Sequence, residues 1–415
     1  MNKRNIFLWA LYDFANSIPT IVFGLYFSQW LVIDNHVSDI FYNLIFVASS
    51  ILLILISPWV GAASDRHGAK LPFLRILTLL MTVTILITTI LAVFFPASNQ
   101  IVFWAVIFFI LTNFFYQFSL IFYNALLPQL APKSKIGRVS GIGSASGWIG
   151  QIAGILITLP LATGAIYLAG NHGRPQTFLL SVILFIILSL PTLILFKEKT
   201  QKKYSIEFSL VKEYKNYFSD FKTMIKVPGI GRFLLGYFFF SDAILTAQSN
   251  FPIYLDQVFR IPDKIKAFLA MGILITAALG AFLIGFIADK YGIKKTLNYL
   301  LIAWMILMPF IALTSNFHFF IFLVVVMGIL FGATYVVTRA TITYLTPEDQ
   351  LGHTFSFYTL AERFSTFLGP VVWGLITTIL YHSGPLRYRM AALSMTVFMV
   401  IGFFILKSIP SDKKE

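Results

Sequence analysis

The sequence predicts an all-α membrane protein with twelve transmembrane helices in two six-helix pseudo-repeats. Three observations carry that prediction. The chain has 415 residues, 58% of them hydrophobic and only 12% charged, with a mean hydropathy of +0.82. Soluble domains carry about a quarter charged residues, so lipid must be the solvent for most of this surface. Apolar runs long enough to span a bilayer recur twelve times. Short loop patterns in the first half return in the second half at matching places.

The cores of the first six runs lie at 6–32, 40–62, 72–95, 101–127, 138–167 and 176–196. Those of the second six lie at 230–257, 265–288, 295–314, 318–343, 354–380 and 390–408. None shows the ten-residue alternation of a membrane β-strand, so backbone hydrogen bonding in lipid dictates helices. The first run is too long, too polar and too poorly followed by a cleavage site for a signal peptide. It is expected to stay as helix one, with Trp9 and Trp30 at the two membrane interfaces. On helix five, Gly143, Gly147, Gly150 and Gly154 read as a close-packing face. They lack the spacing and the preceding strand of a phosphate loop. Pro19, Pro252 and Pro370 fall inside runs one, seven and eleven and are expected to kink them.

The formal net charge is +14, but the placement of the cations argues against nucleic acid as a partner. Most of the 31 lysines and arginines fall in segments on one side, such as Lys3, Arg4, Arg66, Lys70, Lys133, Lys135 and Lys290. By the positive-inside rule both termini are cytoplasmic, in a bacterial inner membrane. With no cysteine, thiolate metal sites and disulfides are excluded. The six histidines show no metal-ligand spacing, so no cofactor or metal is expected.

Residues 197–228 form a basic polar linker between a bundle at 1–196 and a bundle at 229–415. Val211, Tyr214, Phe218, Phe221 and Ile225 recur there at helical spacing. This reads either as an amphipathic helix on the anionic inner leaflet or as a solvated linker helix with a packing stripe. The halves repeat each other. LAPKSKIG at 130–137 matches LTPEDQLG at 345–352, and GAASDRHGAK at 61–70 matches GFIADKYGIKK at 285–295. Parallel six-helix repeats with a substrate site between them are a transporter plan.

These loops resemble the major facilitator superfamily, whose G-x-x-x-D-R/K-x-G-x-K/R motif follows its second helix and returns after its eighth. The resemblance implies gating roles for Gly61, Asp65, Arg66, Arg138, Asp289, Lys290 and Arg363, with Gly61 and Gly285 allowing close helix approach. WALYDFANS at 9–17, LPQLAPKSKIGRVSGIG at 127–143 and FSFYTLAERFSTFLGP at 355–370 are similar to the autophagy-related vacuolar amino-acid effluxer group within that superfamily. That resemblance implies alternating access, amino acids as first-guess substrates and no enzymatic activity.

Spacing alone finds polar stripes on four helices. Asp13, Asn16, Ser17 and Thr20 share a face of helix one, and Asn113, Gln117 and Asn124 a face of helix four. Asp242, Thr246 and Ser249 share a face of helix seven, and Tyr335, Arg339 and Thr343 a face of helix ten. In the facilitator fold those four helices line the central path. Charge at mid-bilayer costs about 2.5–3.5 kcal/mol on insertion scales, so Asp13, Asp242, Glu362, Arg339 and Arg363 need partners or a wet cavity. Asp242, Glu362 and Asp13 are the proton-coupling candidates. Arg339 suits a substrate carboxylate or phosphate. Asp13 either pairs with Arg339 or Arg363 when the cavity closes inside, or stands in a fixed ion pair. The expected activity is secondary transport of a small polar metabolite by a monomer in the lipid bilayer, by symport or antiport, with protons as the expected coupling ion. The alternatives are a lipid-like or amphipathic substrate, or a non-transporting membrane sensor.

Overall fold

A computed structural model describes residues 3–67, 69–130, 136–198, 219, 222–346, 358, 361–362 and 365–410. The described residues form helices and loops without strands. Twelve principal helices follow one another: α1 (Lys3–Val22), α2 (Asp39–His67), α3 (Leu71–Phe94), α4 (Asn99–Ala125), α5 (Ile136–Ala162), α6 (Arg174–Leu195), α7 (Ile230–Tyr254), α8 (Asp263–Tyr291), α9 (Ile293–Leu313), α10 (Phe317–Leu345), α11 (Leu368–Ile379) and α12 (Leu386–Lys407). Eleven are long and apolar enough to cross a membrane, and α11 is the short one. Leu79, Phe282, Ile194 and Phe404 lie exposed on their outer faces, as a lipid solvent requires.

The chain divides into two compact units: residues 1–37 with 48–214, and residues 38–47 with 215–415. Each uses the same pairings. In the first, α1 packs on α5 and α6, and α3 packs on α4 and α6. In the second, α7 packs on α11 and α12, and α9 packs on α10 and α12. The loop repeat read in sequence is therefore a repeat of packing. A core cluster of Ala15, Met81 and Phe185, flanked by Tyr116 and Leu188, sits where α1, α3, α4 and α6 meet.

The prolines act differently from one another. After Pro19 the helix relaxes into a π-helical turn at Phe23–Phe27, and after Pro252 into one at Leu255–Phe259. Proline removes one rung of the ladder, and a wider turn re-seats the carbonyls. The same device thus stands in α1 and in α7, its counterpart in the repeat. Pro370 is not a mid-helix kink. The predicted continuous run at 354–380 is interrupted by a turn and bend at 365–367, and α11 starts at Leu368. Pro370 then lies in the first turn of α11, where a missing N–H costs nothing.

Trp9 and Trp30 correct another expectation. They are 3% and 4% exposed, not interface anchors. Trp9 stacks on Tyr123 at 4.5 Å between ring centres, and its Nε1 donates to the Tyr123 carbonyl at 3.0 Å. The ring occupies space that a Cβ at Gly143 would overlap. Of the linker stripe, Val211, Tyr214, Phe218 and Phe221 lie outside the described residues, and Ile225 is exposed.

Candidate functional site

In the first unit the polar face of α1 lies against α5. A Cβ on Gly147 would stand 3.0 Å from Asp13 Oδ2 and 3.1 Å from Ser17 Oγ. The helix-five glycines are therefore a packing face, as their spacing suggests. Gly147 in particular leaves room for a half-buried carboxylate and a hydroxyl. Ser146 Oγ donates to the Ala10 carbonyl at 2.8 Å across the same seam. Asn16 is 2% exposed, and its Oδ1 has no hydrogen-bond partner among the described residues. Its main-chain carbonyl accepts from Thr20 Oγ1 at 2.8 Å. On α4, Gln117 is buried with Nε2 3.5 Å from Ser49 Oγ of α2. Asn113 instead donates back to the Phe109 carbonyl of its own helix, and Asn124 is exposed.

In the second unit Asp242 is fully buried. Its Oδ2 accepts the Gly369 main-chain N–H at 2.7 Å, and Thr246 Oγ1 approaches its Oδ1 at 3.4 Å. The carboxylate thus caps the first turn of α11 from a neighbouring helix. No residue of α11's own N-terminus supplies a side-chain cap, and an anion is favoured at that end. A Cβ on Gly369 would stand 2.8 Å from Asp242 Oδ1, so a glycine makes room for the cap. The broken helix and the buried acid explain each other.

Glu362 precedes the break, half-buried. With Tyr335 and Ser241 it lines a small pocket between α7 and α10. Beside the pocket, Tyr358 donates to Tyr237 at 3.1 Å and meets Thr338 at 3.0 Å. Arg339, one turn beyond Tyr335 on α10, is exposed. The structure therefore brings Tyr335 and Glu362 together, and gives Asp242 and Thr246 a shared role at the start of α11.

Several gating expectations fall where little is described. Gly61, Asp65, Arg66, Arg138 and Asp289 are described in their helical backbone only, and Arg363 lies outside the described residues. Lys290 is exposed. Around Gly285 nothing among the described residues comes within 4 Å of a built Cβ.

Two arrangements escaped the sequence reading. Glu198, just past α6, accepts the Lys70 and Leu71 main-chain N–H groups at 2.7 and 2.8 Å, and Gln129 Nε2 at 3.2 Å. It caps α3 from another segment, as Asp242 caps α11. A lone acid among the lysines of FKEKT was the available signal. The other arrangement involves residues 38–47. Asn43 and Asn250 exchange amide hydrogen bonds of 3.0 and 2.8 Å. Tyr42 OH donates to the Ser249 carbonyl at 2.9 Å. Tyr388 OH donates to Asp39 Oδ2 at 3.0 Å and accepts from Arg387 Nη2 at 2.9 Å. The amide pair is buried, so Asn250→Leu alone should cost about 1–3 kcal/mol by stranding Asn43. Asn43→Leu with Asn250→Leu should recover part of that loss, because both partners become apolar. Thermal unfolding of the single and double variants measures it; equal losses would contradict the pairing.

Comparison with known proteins agrees with this architecture. A family model described as "Vacuole effluxer Atg22 like" matches residues 37–415, so α1 precedes the matched span. An uncharacterized protein of Aquifex aeolicus is 24% identical over 96% of this chain and 94% of its own length. The uncharacterized MFS-type transporter YxiO of Bacillus subtilis is 20% identical over 97% and 94%. Autophagy-related protein 22 of Vanderwaltozyma polyspora is 28% identical over 52% of this chain and 43% of its own. Among solved structures, an inward-facing, unoccupied bacterial homologue of the human lysosomal transporter Spinster has a TM-score of 0.76 at 16% identity, covering 98% and 97% of the two chains. The nucleoside transporter NupG has 0.73 at 14%, covering 98% of each. At such identities the structures show a shared fold. With a matched span that begins at residue 37 and runs to the last residue, the chain belongs to the vacuole effluxer Atg22-like family of major facilitator transporters.

Proposed function

We propose that this protein is a secondary transporter of a small polar metabolite, amino acids foremost, working by alternating access of the six-helix halves 1–196 and 229–415 about the linker 197–228. It acts as a monomer in a bacterial inner membrane with both termini cytoplasmic, and protons are the coupling ion. The observation that carries the substrate class is Asn16. A side-chain carbonyl buried in α1 without a partner among the described residues, one turn from the Asp13 carboxylate, is an acceptor suited to an N–H or O–H donor. A polar metabolite brings such donors; a hydrocarbon chain does not. In the same unit, Asp13 and Ser17 add polar groups on α1 and Gln117 adds one on α4.

Uptake of labelled amino acids by proteoliposomes, with and without a pH gradient, tests this. Accumulation is expected to follow the gradient, and to survive its collapse would remove the proton-carrying roles of Asp13, Asp242 and Glu362. Asn16→Ala is expected to lower uptake by about tenfold, the loss of one hydrogen bond to a charged donor. Its thermal stability should be unchanged, since no described group loses a partner. Folded protein that moves no amino acid under either gradient would overturn the substrate assignment.

A further inference from the structure

Residues 163–173 join α5 to α6 and pack on the end of α3, all within the first unit. Asp34, at the far end of the α1 segment, pairs with Arg174 at the start of α6. At the opposite end Asn5 Nδ2 donates to the Lys197 carbonyl at 2.8 Å. The loop therefore lies on the face away from the first residues of the chain. We propose that it is an interfacial anchor: Ile166, Tyr167 and Leu168 enter the boundary between phospholipid headgroups and acyl chains. The partner is a lipid surface, with no preference for headgroup charge.

Connecting loops ordinarily run over the surface in water. This one is built of other material. No Asp, Glu, Lys or Arg occurs between Arg138 and Arg174. Ile166, Tyr167 and Leu168 are 51%, 53% and 47% exposed, three in a row. Large apolar neighbours left bare in water form an aggregation-prone patch. At a bilayer boundary they are covered, and tyrosine is enriched there. Docking on α3 sets the depth. The Asn171 N–H donates to the Val93 carbonyl at 2.6 Å, and Nδ2 donates to the carbonyls of Ala92 and Phe95 at 3.0 and 2.7 Å. Gly170, at φ +73°, comes so close that a Cβ there would overlap the Val93 carbonyl oxygen. The 24 residues of α3 span about 36 Å, against a hydrocarbon core of about 30 Å. Its last turn thus lies at the boundary, where Phe94 and Phe95 are exposed. Leu168, two residues before Gly170, lies within about 7 Å of that turn.

A segment at that depth cannot leave its polar groups to water. The Ile166 N–H donates to the Pro160 carbonyl at 3.1 Å, and the Leu168 N–H to Gln176 Oε1 at 2.7 Å. The Thr163 and Gly164 N–H groups turn back to the carbonyls of Leu159 and Leu161 at 3.0 and 3.2 Å. Tyr167 OH donates to the Gly170 carbonyl at 3.1 Å, and its ring stacks on His172 at 4.4 Å. These donors are satisfied inside the loop and its neighbours, while the apolar side chains stay exposed. That combination suits a lipid boundary and gains nothing in water. The exposed faces of Phe94 and Phe95 continue it into the lipid-facing surface of α3.

The chain has no cysteine, so a nitroxide can be placed at one chosen position. Full-length protein carrying Leu168→Cys, Leu79→Cys or Ser383→Cys is labelled and reconstituted in phosphatidylcholine vesicles. Leu79 is the lipid-facing reference on α3, and Ser383 the exposed reference on a polar turn. Electron paramagnetic resonance compares collisions with oxygen, which concentrates in lipid, and with a nickel chelate, which stays in water. The Leu168 label is expected to give an oxygen-to-nickel ratio severalfold above that of Ser383 and below that of Leu79. Replacing part of the lipid by phosphatidylglycerol should leave the ratio unchanged, because the loop brings no lysine or arginine to the surface. Asn171→Ala removes two bonds to α3 and should move the Leu168 label toward the Ser383 value. A Leu168 ratio equal to that of Ser383 would overturn the proposal by placing the loop in water. Spin–spin broadening that grows with the protein-to-lipid ratio would overturn it in favour of a second copy of this chain. A ratio that rises with phosphatidylglycerol would overturn it in favour of headgroup-charge recognition.

Discussion

Asp242→Ala will destabilise the protein by about 2–4 kcal/mol and abolish transport. The carboxylate is buried in the second unit and accepts the Gly369 N–H in the first turn of α11. Removing it strands that donor where no water reaches, at about 1–3 kcal/mol for the unsatisfied group. Losing the anion from a helix N-terminus adds about 0.3–2 kcal/mol. Asp242→Asn keeps an acceptor oxygen without the charge, so it should recover roughly half of the loss. Thermal unfolding of the three proteins in one detergent measures the series. If alanine and wild type unfold together, the capping role is wrong. The function follows from the position of α11, because the break that Asp242 supports lies three residues beyond Glu362. A slack α11 would leave the glutamate without a fixed place beside Tyr335.

Gly332→Val should prevent recovery of folded, monodisperse protein. At the crossing of α8 and α10 a Cβ on Gly332 would overlap the Ala277 carbonyl oxygen, and one on Gly280 would overlap that of Ile329. Both clashes are with backbone, so no rotamer relieves them and the helices must part. Overpacking usually costs about 1–3 kcal/mol, and separating two helices along a crossing costs more, because every contact along it is loosened. Gly272, on α8 with nothing within 4 Å of its Cβ position, is the matched control. Gly272→Ala should stabilise by about 0.5–1 kcal/mol through helix propensity alone. Size-exclusion profiles and unfolding temperatures separate the two outcomes; a well-folded Gly332→Val protein would refute the crossing.

The legibility of the site varied residue by residue. The polar stripes on α1 and α7 were readable because helical spacing puts i, i+3, i+4 and i+7 on one face without help from the rest of the chain. What each polar group does was not readable. Asp242 and Asp13 look alike in sequence, an acid in an apolar run. One is a helix cap and the other lies over a glycine of α5. Asn113 and Asn16 look alike too, yet one donates into its own helix and the other has an oxygen with no partner among the described residues. Glu198 stood out only as a lone acid among lysines, with nothing to point it at α3, since its partners lie 127 and 128 residues away in the chain.

The sequence by itself determined the class, the number of helices and the repeat. Those follow from transfer free energy and from backbone hydrogen bonding in lipid, which act on each segment separately. It also determined which helix faces are polar. Only the tertiary structure decided that helix eleven is broken, that Trp9 and Trp30 are buried, and that residues 38–47 pack with the C-terminal unit. It alone placed Glu362 among aromatic rings while Asp242 was taken up by a helix end. Each of these depends on which donor, ring or backbone from a distant segment arrives at a given side chain, and periodicity along one helix carries no record of that.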